Sequence, residues 1–245
     1  MHKFVLALLL ASLSFNSLAN GPLRFAFSAT NPPFESLDGD GQLVGFDIDM
    51  AKALCERMKT QCIFTNNAFD RLLPSLKFHR YDVVISGMDI TAERQKQVDF
   101  TQPYYANSGT IVAVKGRYSS FEQLKGKRIG VGGETTQQAY LQSAWPDIIA
   151  VTYDNYQNAL LDIHNDRLEG IFGDTPAVYE LLKSNPQLAR VGEPVTDSRY
   201  FGSGLGIAVR KGNQELLSQL DEALQGIKDD GTLRKLSLRW LGSEK

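Results

Sequence analysis

Downstream of residue 20, short apolar runs alternate with stretches in which apolar residues return every three or four positions. "LRFAFSA" has the length and composition of a buried strand, and after the turn "DGDGQ" the stretch "GFDIDMAKALCERM" repeats at helical spacing. "FDRLLPSLKFHR" predicts a second helix, "YDVVIS" a buried strand and "TAERQKQV" a further turn or two of helix. A second set opens where "RIGV" meets a glycine-rich loop and a helix started by Thr135 and Thr136, and it continues through "YQNALLDIHNDRLEGIFGD". Strands alternating with helices predict an α/β fold whose mainly parallel sheets are covered on both faces.

The two sets echo each other. Leu76 and Ile163 are each followed five places on by Tyr81 or Leu168, then by an acid, Asp82 or Glu169. A short apolar strand comes next and ends in glycine and aspartate: Gly87 and Asp89 in one set, Gly173 and Asp174 in the other. The pattern predicts two lobes of similar build. Ligands of open parallel sheets sit beyond the carboxyl ends of the strands, so Asp89 and Asp174 are where two such lobes would meet around a ligand.

Chain ends and composition narrow the class. The first residues carry one lysine, an apolar run from Phe4 to Leu13 and the small-x-small triplet Ser17-Leu18-Ala19, the form of an export signal. Residues 1–19 are therefore expected to be removed and the protein to reside in the periplasm. The apolar run falls short of the ~20 residues that a membrane-spanning helix needs. With 28 acidic and 26 basic residues, a net charge of −2 and no basic run, nucleic acid and anionic membranes are poor partners. Cys55 and Cys62, close together in an exported chain, read as a disulfide from the end of a helix to the start of the next strand. Two free thiols or half a metal site are the alternatives. No third cysteine is present and His2, His79 and His164 are scattered, so no metal is expected. Nothing in the chain asks for a cofactor, and nothing points to a stable oligomer.

A ligand carrying a carboxylate and an ammonium on one carbon suits the residues at the strand tips. Arg94 presents a planar fork that matches a carboxylate. Thr136, at a helix start after "GVGGE", adds a hydroxyl and backbone N–H groups at the positive end of the helix dipole. Asp89, Asp174 and the carbonyl of Gly87 would accept from the ammonium. Each part also has a plainer reading: Arg94 with Asp89 as a surface ion pair, "GVGG" as part of a dinucleotide loop, Asp174 before Thr175-Pro176 as a helix cap.

Taken together, "NPPFE", "GFDIDMAKALC", "FDRLLPSLKFHRYDVVISGMDIT", "LKGKRIGV", "NDRLEGIFGD", "YFGSGLGIAVRKGN" and "DDGTLRKLSLRWL" resemble the polar-amino-acid binding proteins of bacterial ABC importers over essentially the whole chain beyond the signal. The resemblance is closest to the arginine-binding members. It implies a two-lobed periplasmic-binding-protein fold, type II, with lobe 1 from residues 20–105 and 205–245, lobe 2 from 110–195, and hinge segments at 106–109 and 196–204. It implies a monomer that captures a free L-amino acid, arginine first among them, by hinge closure and delivers it to an inner-membrane ABC permease. By the same resemblance Arg94 and Thr136 take the carboxylate, Asp89, Asp174 and the Gly87 carbonyl the ammonium, and Ser28, Asn31, Phe69 and Ser86 line the pocket. Asn31 departs from the family, where a tyrosine usually stands and stacks on the ligand side chain. Lysine, ornithine, histidine or glutamine are therefore alternative ligands. An enzyme on the same scaffold, such as a small-acid dehydratase, would need an acid or base in the cleft, and neither His79 nor His164 falls on a predicted ligand loop.

Overall fold

Phe25 and Phe27 point to one face of a strand and Ala26 to the other, and all three are fully buried, so this strand is covered on both sides. It is the first of thirteen strands in a computed structural model that describes residues 21–242. The predicted export signal lies outside the described residues.

The chain runs β1 (Leu23–Phe27), the short strands β2 (Thr30–Asn31), β3 (Glu35–Leu37) and β4 (Leu43–Val44), α1 (Phe46–Arg57), β5 (Cys62–Asn66), α2 (Phe69–Lys77), β6 (Val83–Val84), α3 (Ala92–Gln95) and β7 (Val98–Phe100). It then crosses to β8 (Gly109–Val114), β9 (Arg128–Gly132), α4 (Thr136–Ala144), β10 (Ile149–Tyr153), α5 (Tyr156–His164), β11 (Gly170–Asp174), α6 (Thr175–Ser184) and β12 (Leu188–Val195). A second crossing through α7 (Ser198–Phe201) returns it to β13 (Ala208–Arg210), α8 (Gln214–Asp229) and α9 (Thr232–Trp240).

Two five-stranded sheets result, ordered β5-β1-β6-β13-β7 and β10-β9-β11-β8-β12, beside a small sheet β2-β3-β4. In each large sheet the first three strands are parallel and the fourth, which arrives from or leads into a crossing, runs against its neighbours. The mainly parallel, two-lobed α/β architecture expected from the sequence is therefore present. Its internal echo extends to hydrogen bonds. Asp82 accepts from the backbone N–H of Arg24 (3.1 Å), and Glu169 accepts from that of Arg128 (3.0 Å), so each lobe uses the acid before its central strand to hold an N–H near the start of the neighbouring strand.

Both faces of both sheets are packed. In the first lobe Phe25, Phe27 and Ile85 meet Leu54 of α1 and Leu224 of α8, while Ala26 and Val84 meet Leu72 and Leu76 of α2. In the second, Ile129 and Phe172 lie with Leu141 of α4, while Val112 and Ile171 lie with Ile163 of α5 and Val178 of α6.

"YDVVIS" forms a shorter strand than its composition predicts. After Ile85, side chains replace the ladder: Ser28 N–H donates to Ser86 Oγ (2.9 Å) and Gly87 N–H to Asp47 Oδ2 (2.7 Å). Side chains thus pair these N–H groups where the chain leaves the sheet at the cleft.

Cys55, near the end of α1, is bonded to Cys62 at the start of β5. The loop closed is short, and the bond lies away from the strand tips that carry Asp89 and Asp174. Cys55→Ser with Cys62→Ser is expected to lower unfolding free energy by roughly 2–3 kcal/mol in urea titration without weakening ligand binding.

Candidate functional site

The carboxyl ends of both parallel sets open on one cavity of about 610 Å3 between the lobes, a size usual for small-molecule sites. Ser28, Asn31, Phe69, Ser86, Gly87, Asp89, Arg94, Thr136 and Asp174 all line it. Gly87 has φ +51°, a conformation that a side chain would strain, and this turn brings Ser86 to Asp89 onto the wall.

Asp89 and Asp174 approach from opposite lobes and are both buried. Asp89 Oδ2 accepts from the Thr136 hydroxyl (2.6 Å) and Oδ1 from the Asn107 amide (2.8 Å). Asp174 Oδ1 accepts from Asn107 (2.7 Å) and Gln137 (2.7 Å), and Oδ2 from Asn31 (3.1 Å). No side-chain bond caps α6 from Asp174, although Pro176 sits in the first turn, so the capping alternative fails.

Arg94 is not a surface partner of the Asp89 carboxylate. One Nη donates to the Asp89 carbonyl (3.0 Å) and the other to the Glu134 carbonyl across the cleft (3.0 Å), with the guanidinium carbon 5.5 Å from the centre of the Phe69 ring. These two bonds use two of its five donors. Thr136 opens α4, with Thr135 as N-cap accepting from Gln138 N–H. The glycine-rich loop before it contributes Gly132 and Gly133 to the wall.

Four residues of this arrangement were not singled out from the sequence: Glu35, Asp47, Asn107 and Gln137. Glu35 and Asp47 are wholly buried below the Gly87 turn. Ser86 Oγ donates to Glu35 Oε1 (3.1 Å), and the Tyr104 hydroxyl donates to Asp47 Oδ2 (3.1 Å) beside Gly87 N–H. Glu35 Oε2 and Asp47 Oδ1 are buried without a hydrogen-bond donor, and two neighbouring acids so placed resist ionising together. Burial, then the neighbouring Asp47, pushes the Glu35 carboxyl well above the usual range. Burial pushes Asp47 up to about 6 against the pull of its donors, so the proton resides on Glu35. Burial and then Asp174 push Asp89 up to about 7, and burial raises Asp174 as well.

Two lobes closing on a cavity, with an amino-acid-sized set of charges at their junction, define a solute receptor. Residues 23–243 match the bacterial extracellular solute-binding proteins, family 3, and the chain belongs to that family. It is 56% identical over 240 residues to ABC transporter arginine-binding protein 1 of Escherichia coli (strain K12), covering 98% of this chain and 99% of that protein. It is 41% identical over 213 residues to the arginine-binding periplasmic protein of Mannheimia haemolytica, covering 87% and 88%. Among solved structures, a Salmonella typhimurium periplasmic binding protein of high arginine specificity superposes with a TM-score of 0.87 at 46% identity, over 91% of this chain and 100% of that one. An ancestral arginine-binding protein bound to glutamine superposes at 0.84 with 38% identity, over 91% and 99%.

An acid whose proton is held more tightly in the folded state makes stability fall as pH rises, from the ordinary carboxylate range near ~4 up through the folded value. Glu35 and Asp47 are such groups. Between pH 5 and 7.5 the wild type should lose on the order of 1 kcal/mol or more through this pair. Glu35→Gln, which supplies a permanent donor to Asp47, should show a visibly flatter profile in urea unfolding across that range. Parallel profiles would mean that Glu35 is already ionised.

Proposed function

We propose that this protein captures an L-amino acid, arginine above others, between its two lobes and hands it to an ABC permease. The observation that carries this reading is the charge of the cavity wall. Glu35, Asp70, Asp89, Glu134, Asp154 and Asp174 line it against Arg94 alone among the basic residues. With Glu35 neutral the wall still carries a large negative excess. A ligand with an ammonium, a carboxylate and a further cation reduces that excess, whereas a neutral zwitterion leaves it unchanged, and unmatched charge is costly when water is excluded. The remaining Arg94 donors and the N-terminus of α4 suit the carboxylate, and Asp89 and Asp174 suit the ammonium. Relatives that bind arginine, at 56% and 41% identity, support the same ligand.

Closure would bend the segments at 106–109 and 196–204 while lobe 1 (20–105 and 205–245) and lobe 2 (110–195) move as bodies. Export by residues 1–19 would place the protein in the periplasm, acting as a monomer. No chemistry on the ligand is proposed: His79 follows α2 and His164 ends α5, and neither lines the cavity.

A second ligand, glutamine, has one observation in its favour. Asn31 stands where the family resemblance leads to the expectation of tyrosine, and its Oδ1 is buried without a donor and could accept from an amide N–H.

Calorimetric titration of ligand-stripped protein tests both readings. Arginine should bind more tightly than glutamine at pH 7.5. Arg94→Ala and Asp174→Ala should each cost roughly 2–5 kcal/mol of arginine binding. Undiminished affinity in either variant would remove the amino-acid assignment, and a preference for glutamine would change the ligand alone.

A further inference from the structure

Asn107 lies in the first crossing between the lobes. On one side of it, Tyr105 is tied to the first lobe, its carbonyl accepting from Leu205 N–H (2.8 Å). On the other, the Ser108 carbonyl accepts from Thr175 N–H (2.8 Å) at the start of α6 in the second lobe. Ala106 and Asn107 are therefore the two residues between the last tie to one lobe and the first tie to the other, where backbone rotation can occur without breaking a ladder. The Asn107 amide donates one proton to Asp89 of the first lobe (2.8 Å) and the other to Asp174 of the second (2.7 Å). Its orientation is fixed by that chemistry, because the reverse would set a carbonyl oxygen against two carboxylates. Its Oδ1 is left buried without a donor.

We infer that Asn107 is the positioning residue that couples the hinge to the ligand's ammonium site, holding the acids of the two lobes together only when the cleft is closed. Rotation at Ala106–Asn107 lengthens one of the two bonds, so opening costs a charge-assisted bond and closure restores it. The inference rests on the amino-acid reading above. The amide is neutral, so it aligns the two carboxylates without cancelling the charge that a ligand ammonium would meet. Other charged or titratable groups surround these acids: Arg94, itself beside Glu134, acts on both, and Tyr156, Tyr104, Glu35 and Asp47 interact with Asp174. Asn107 differs from them in bonding both acids at once and in sitting at the pivot.

The two donors of Asn107 favour the ionised acids, so removing them raises both acids' pKa. Capture of an ammonium needs ionised acids and is lost as pH falls through their values. In Asn107→Ala that loss should begin at higher pH. Arginine affinity, measured calorimetrically from pH 5 to 8, should drop at least about tenfold at pH 7, with the midpoint of its acid decline displaced upward by about one unit. Asn107→Asp keeps the shape and adds a third acid, so its midpoint should move further in the same direction. A loss of equal size at every pH, or an Asn107→Asp protein that binds like wild type, would overturn the inference. Spin labels at one exposed position in each lobe supply an independent arm. At pH 8 without ligand, Asn107→Ala should shift the inter-lobe distance distribution toward longer values, and an unchanged distribution would overturn the coupling. If the wild type binds no arginine, the functional reading fails, and the distance measurement alone decides the role of Asn107.

Discussion

Asp89 and Asp174 reach the cleft from opposite lobes and are almost wholly removed from water, and like charges in such surroundings resist ionising together. The rest of the site follows from that repulsion. Each acid is held by neutral donors: Thr136 and Asn107 on Asp89, and Asn107, Gln137 and Asn31 on Asp174. A lysine in any of these places would cancel one of the two charges permanently and leave less for a ligand cation to do. Amides and a hydroxyl fix the geometry and leave the charge unmatched. Arg94, the cation of the wall, obeys the same logic, because it bonds two backbone carbonyls and stacks on Phe69 instead of joining a carboxylate.

The two lobes arrive at this arrangement by one plan carried out differently. Sheet orders correspond strand for strand, and Asp82 and Glu169 hold equivalent N–H groups. In the second lobe Asp174 is still within its strand, paired with Gly109. In the first, the ladder stops earlier and the Gly87 turn carries Asp89 beyond it. That turn needs acceptors for the Gly87 N–H and the Ser86 hydroxyl, and Asp47 and Glu35 provide them from below. A neutral acid beside an ionised one gives those acceptors with one negative charge where two carboxylates would bring two.

The elements that bear the ligand side of the cleft were legible because each combined a strong local signal with a strand end: apolar run, glycine, aspartate. β13, α8 and α9 were reached through family resemblance, since a three-residue strand entering from a distant crossing has no periodicity of its own. The small β2-β3-β4 sheet has strands too short to alternate visibly. Asp47 did carry a readable signal. At helical spacing it shares a face with Met50, Ala51 and Leu54, all buried, whereas Asp49 falls on the other side. Gln137 precedes buried Leu141 by four in the same way. Glu35 and Asn107 gave no such sign, because a short strand and a crossing segment have no period, and only the three-dimensional approach of both lobes reveals what their side chains reach.

Asn31 shows how a departure from a family pattern can be coherent. Where the family resemblance leads to the expectation of an aromatic ring, this chain places an amide that spans the cleft to Asp174. The second aromatic, Phe69, already carries the Arg94 guanidinium on its ring. Stacking on a ligand side chain is therefore reduced on both walls, while contacts that close the lobes are increased. Cation–π attraction and charge pairing select a basic ligand by different means: the first rewards a flat, weakly hydrated cation, the second any cation that reaches the acids. A cleft weighted toward the second should depend more on net charge than on the shape of the ligand's cationic group.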